Sequence, residues 1–121
     1  MDTVTYPDPK TAEFVNRFMI PFRANTQSHA NLAGRYGIQY TPTIITLDGE
    51  GKEHYRTVGF LPAQEFIPAL MLGIGKAYFS QNLIKKALTM LDKLLAEFPG
   101  SKVATEANTL KQACLSRGTA K

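Results

Sequence analysis

Apolar positions in the first third of the chain fall into short amphipathic units. In DPKTAEFVNRF, Phe14 and Phe18 stand four residues apart and so share a helix face. Asp8 can accept hydrogen bonds from free amides of a first turn, and Pro9 suits the first helical position, where no donor is needed. The spacing predicts a helix from there. MIPFRA, Met19 to Ala24, reads as a strand, with Pro21 near its end or at a bulge because proline gives a ladder no donor. Residues 28–36 predict a second short helix with Leu32, Ala33 and Tyr36 together, His29 on a helix face, and Gly37 ending it.

The pattern then changes period. TIITL, Thr43 to Leu47, is β-rich and almost wholly apolar, as a strand covered on both faces would be. DGEGK is a turn with two glycines, and EHYRTV alternates more openly, so the three segments predict a β-hairpin. This places His54 on the hairpin surface.

Past Leu61 the helical period returns. Phe66, Leu70, Gly73 and Ala77 recur at steps of four, three and four, with Pro68 expected to kink or split the helix. Ile84, Ala87, Leu88, Leu91, Leu94, Leu95 and Phe98 form a continuous stripe, stopped by Pro99-Gly100. In a last helix, Val103, Ala107, Leu110 and Cys114 recur at four, three and four, which makes Cys114 a small buried hydrophobe.

Composition narrows the function classes. A chain of 121 residues, 44% hydrophobic, is long enough for one folded domain with a core. No apolar run approaches the ~20 residues that cross a bilayer, so no membrane partner is expected. The start MDTVTYPDPK lacks a signal-peptide layout, which leaves the cytoplasm as the expected compartment of the chain as written. The net charge of +4 arises wholly after residue 60. Its lysines (Lys76, Lys85, Lys86, Lys93, Lys102, Lys111) are spread along helices without a dense arginine-aromatic patch, so solvated faces are expected rather than a nucleic-acid surface. One cysteine excludes an intramolecular disulfide and a Cys-rich metal site. His29 and His54 have no ligand cluster beside them, and Asp48, Glu50 and Glu53 lack the spacing of a calcium loop, so no metal or other cofactor is expected.

The order helix, strand, helix, Thr-Pro, hairpin, helix resembles the later two-thirds of the thioredoxin fold. YGIQYTPT is similar to that family's segment ahead of its cis-proline, TIITLDGEGK to the strand that follows, and TVGF to the glycine before its last helix. The start MDTVTYPDPKTAEFVNRF resembles the stretch after the Cys-x-x-Cys of thioredoxin-like proteins in bacterial thiol–disulfide exchange. Ile74, Gly75, Tyr78, Ala87, Leu91, Leu94 and Pro99 have the spacing of a tetratricopeptide repeat, a generic helical hairpin being the alternative.

These resemblances imply an α/β chain: a truncated thioredoxin-like fold over residues 1–70, followed by a tetratricopeptide-like α-helical extension over 71–121. The extension should pack on the thioredoxin-like part or on a partner, since one repeat cannot bury its own apolar face. The family's central strand and its Cys-x-x-Cys would lie before Met1. Thioredoxin chemistry needs two thiols, so no catalytic residue is assigned, and the resemblance implies instead a protein- or peptide-binding module.

In the family, the residue before the cis-proline pairs with an extended peptide. This implies a site at Tyr40, Thr41 and Pro42 with a cis Thr41–Pro42 bond, the alternative being that Pro42 only shapes the start of the strand. Two further readings stand beside it: the C-terminal portion of a thiol–disulfide oxidoreductase, whose parent could be exported, and a helical adaptor with more repeats after Lys121. The absent strand would lie between Met19–Ala24 and Thr43–Leu47, so pairing of two copies into a homodimer is a further expectation.

Overall fold

The computed structural model describes residues 5–22, 24, 27–39 and 42–119. Five helices and one hairpin follow in the order α1 (Pro9–Phe18), α2 (Ala30–Arg35), β1 (Thr43–Leu47), β2 (Glu53–Val58), α3 (Ala63–Ser80), α4 (Ile84–Glu97) and α5 (Ala104–Thr119). The start of α1 follows its sequence. Asp8 Oδ1 accepts from the amides of Lys10 (2.9 Å) and Thr11 (3.3 Å), and Pro9 occupies the first turn. Phe14 and Phe18 meet as a tilted ring pair at 4.8 Å, and Phe14 continues into the core against α3.

Met19 to Phe22 and Ala24 are not a strand. An extended run becomes a strand only beside a ladder partner, Pro21 has no amide to offer one, and Ile20 and Phe22 are exposed. His29 also departs from expectation: it is the N-cap of α2, outside the helix, with its ring beside the Ser28 hydroxyl.

The hairpin is as the sequence predicts, with one addition. Thr43 pairs with Val58, Ile44 with Thr57, Ile45 with Arg56 and Thr46 with Tyr55, but Leu47 pairs with Glu53, so His54 is an extra residue, a β-bulge. Alternation sends Ile44, Thr46, Tyr55 and Thr57 toward Phe66, Ala69 and Leu70 of α3. Ile45 and Arg56 point to the opposite face. That face is only partly covered: Ile45 is half-buried and Leu47 exposed, so β1 is not enclosed on both sides.

Helix α3 runs unbroken through Pro68. The donor that proline lacks would have served the carbonyl of Gln64, an exposed residue in the first turn, where water can serve instead. Every residue from Phe66 to Gly75 is buried. One side of the helix meets the hairpin at Gly73, where an added Cβ would strike the Thr46 hydroxyl and stand 2.9 Å from its Cβ. Another meets α4 at Gly75, where an added Cβ would stand 2.9 Å from Leu91 Cδ2. The helix therefore crosses residues 70 and 71, between which the sequence divides the chain.

The α4 stripe is buried at Ile84, Ala87, Leu91 and Leu94, joined by Met90, while Leu88, Leu95 and Phe98 are half-buried. Ala107 and Cys114 are fully buried where α5 closes the layer. Glu65, in the first turn of α3, accepts from the Ser101 hydroxyl (2.9 Å) and the Lys102 amide, fixing the chain just ahead of α5.

Gly73→Ala is expected to lower stability by about 1–2 kcal/mol: the Thr46 Cβ is held by the strand backbone and cannot yield, so overpacking outweighs the ~1 kcal/mol helix-propensity gain. Gly34→Ala, with nothing within 4 Å of the added carbon, should stabilise by roughly 0.5–1 kcal/mol. Urea midpoints at unchanged slope compare the two.

Candidate functional site

Of the residues assigned to peptide binding, Tyr40 and Thr41 lie outside the described residues, and the Thr41–Pro42 bond with them. Pro42 is described. Its carbonyl accepts from the Gly59 amide at 2.8 Å, and Gly59 has φ +93°, a left-handed conformation open to glycine at little cost. The Thr-Pro and Val-Gly of the sequence thus meet across the open end of the hairpin. Val58 and Phe60 flank that rung with about half their surface exposed (53% and 56%), which gives the end an apolar border.

The closed end is held by a polar network that the sequence reading did not identify. Asp48 opens the turn: its carbonyl accepts from Gly51, at φ +82°, and its Oδ1 accepts from the amides of Glu50 (2.9 Å) and Lys52 (3.0 Å). Its Oδ2 lies 2.9 Å from His54 Nε2, and the two side chains are only 10% and 5% exposed. His54 is therefore covered, not on the surface. The bulge is the reason, because the added residue sets His54 back toward the carboxylate. The bulge also lets Glu53 and Arg56, three apart and normally on opposite faces, form a two-bonded ion pair (2.7 and 2.8 Å).

From the face away from α3, the Arg56 guanidinium donates to the Tyr36 carbonyl, and the Tyr36 hydroxyl donates to the Gly51 carbonyl at 2.7 Å. Both bonds join the C-terminus of α2 to the hairpin, which places it opposite α3.

Cys114 is the only cysteine in the sequence; it is buried in α5, and burial pushes its thiol up from its ordinary value. Among the described residues no group of three His, Cys, Asp or Glu could hold a metal ion, and no helix is long and apolar enough to cross a membrane.

The comparison with known families decides the matter of descent: residues 3–73 match the thioredoxin-like domain. The chain belongs to that family. No curated protein and no solved structure matches it. The thioredoxin-like match runs from before α1, through both helices and the hairpin, to Gly73 in α3, where the helix meets Thr46.

The site also predicts a pH response. The hydrogen bond from His54 and those from the Lys52 and Glu50 amides hold the Asp48 carboxyl at about 2, below its ordinary 3.8. A depressed carboxylate contributes stability that is present above its unfolded pKa and lost as pH falls through the folded value. Asp48→Ala should therefore be less stable than the parent at pH 7, with the gap closing between about pH 4 and pH 2. Thermal unfolding followed by circular dichroism across that range measures it; a gap independent of pH would contradict the assignment.

Proposed function

We propose that this member of the thioredoxin-like domain family is a non-catalytic module that binds a protein or an extended peptide at Tyr40, Thr41 and Pro42, with a tetratricopeptide-like helical extension behind it. The rung between the Pro42 carbonyl and the Gly59 amide supports the reading. It fixes the ladder at Pro42, and a peptide bound next to that residue would have Val58 and Phe60 as apolar contacts. The extension is supported by the close approach of Leu91 of α4 to Gly75 of α3 and by the fully buried Ala87; Gly75 and Ala87 occupy the small-residue positions of the repeat pattern. The absence of redox chemistry rests on the cysteine count: thiol–disulfide exchange with turnover needs an exposed thiolate and a second thiol to resolve the mixed disulfide.

Two measurements test this reading. The purified chain should bind a reduced, carboxymethylated unfolded protein in an anisotropy titration, and Thr41→Pro, which removes one backbone donor, should weaken binding at least about fivefold, the worth of one hydrogen bond of ~1 kcal/mol. Equal binding by the variant would contradict the site. The chain should also fail to reduce insulin disulfides, and turnover that survives Cys114→Ala would contradict a non-catalytic module.

A further inference from the structure

Charge is unevenly placed around the three C-terminal helices. Neither residues 66–91 nor residues 107–121 contain an aspartate or glutamate. The four acidic residues after residue 60 are all engaged: Glu65 with the Ser101 hydroxyl and the Lys102 amide, Asp92 with Lys111 at 2.8 Å, Glu97 with Lys93 at 3.7 Å, and Glu106 with Lys76. Lys85, Lys86 and Arg117 have no carboxylate partner among the described residues.

These three cations meet at one end of the helices. α3 stops at Ser80, α4 starts at Ile84, and α5 brings Arg117 back to the same end. The Lys86 ammonium stands 5.9 Å from the centre of the Tyr78 ring, and the Arg117 guanidinium 4.0 Å from that of Phe79, the next residue of α3. Arg117 Nη1 also donates to the Phe79 carbonyl at 3.4 Å. Both cations are exposed and both rings half-buried, so each ring holds in place a charge that water still reaches. Helix stability does not call for this arrangement. An N-terminal turn favours carboxylates, yet the first turn of α4 has none and carries Lys85 and Lys86, behind a Leu83 N-cap that makes no side-chain bond.

We propose that this end of the helices is a docking surface for an acidic segment of a partner protein, held in extended form across Lys85, Lys86 and Arg117. Charge complementarity selects the occupant. Arg117 can take a carboxylate on two parallel N–H bonds, and each lysine takes one as a point charge. The rings already hold two of the cations, so little side-chain freedom is lost when the carboxylates arrive. Packed helices stand about 8–10 Å apart, so an extended segment of about six residues, at ~3.3 Å each, reaches across the three helix ends. Nucleic acid fits less well, because the Tyr78 and Phe79 rings are covered by cations and offer bases no stacking surface. An anionic membrane also fits less well: Leu83 and Leu115, 38% and 42% exposed, are too small an apolar face to embed. Pro42 and Gly59 belong to the opposite end of α3, beside Leu61 and Phe66, and the proposal is independent of the peptide-binding reading.

An anisotropy titration of the full chain tests it, with a labelled peptide of about ten residues alternating Glu and Leu, at about 0.15 M salt. The chain should bind this peptide and not the one with Gln in place of Glu. Lys86→Gln with Arg117→Gln should weaken binding at least about fivefold, as the loss of two exposed ion pairs does, with an unchanged circular dichroism spectrum. Lys10→Gln with Lys102→Gln removes the same charge elsewhere and should change binding less than about twofold. Equal weakening by the two double variants would overturn the proposal, as would equal binding of the Gln peptide. Tighter binding of single-stranded DNA or of phosphatidylserine vesicles, lost in the Lys86 and Arg117 variant, would overturn the choice of occupant. If that variant does not fold, amide shifts of the parent chain decide: those of residues 83–86 and 117 should move on peptide addition, and shifts confined to other residues would overturn the proposal.

Discussion

From Phe66 to Gly75, nearly three turns, α3 has no solvent face, and the remainder of the chain is arranged around that stretch. A helix apolar on one side needs one partner; this one needs partners all round. The hairpin supplies one through Ile44, Thr46, Tyr55 and Thr57, α1 another through Phe14, and α4 and α5 the rest through Leu91, Leu94 and Leu110. Two glycines two residues apart set how closely the partners come, Gly73 for Thr46 and Gly75 for Leu91. Where the helix reaches solvent, Lys76 lies over the Tyr55 ring at 4.7 Å and is ion-paired with Glu106, joining β2, α3 and α5 at one point. Burial, and secondarily the Glu106 carboxylate, pushes the Tyr55 phenol up, so it stays neutral there.

The hairpin depends on that support. Two antiparallel strands alone are marginal in water, and here one face rests on α3 while the other is tied to α2 through Tyr36 and Arg56. The turn and bulge add rigidity, not area. Asp48 holds the turn, the turn presents the Gly51 carbonyl to Tyr36, and the bulge aims His54 and Glu53 at their partners.

Features set by short-range chemistry were legible in the sequence. Asp8 and Pro9 mark the start of α1, and the helical period of Ile84, Ala87, Leu91 and Leu94 places α4. The Thr-Pro and Val-Gly located the hairpin end, though only the structure shows Pro42 and Gly59 bonded to each other. Features that depend on a distant partner were not legible. Met19–Phe22 has strand composition but no ladder, and Pro68 looks like a helix breaker until the packing on every side of α3 is seen. The Asp48–His54 pair was missed because a bulge changes which residues face one another, and spacing alone cannot show a bulge. Its one sequence signal is an aspartate opening a glycine turn, with a histidine just beyond it.

If α3 joins the hairpin and the helical layer into one structure, neither can unfold first. A urea titration followed by methyl signals in NMR spectra tests this directly, with Thr46 reporting the hairpin and Leu91 the α4 contact on opposite sides of the same helix. The two native signals should disappear with one midpoint and one slope. Loss of the Thr46 signal at clearly lower urea, while Leu91 keeps its native shift, would mean that the helical layer stands alone and that α3 does not couple the two.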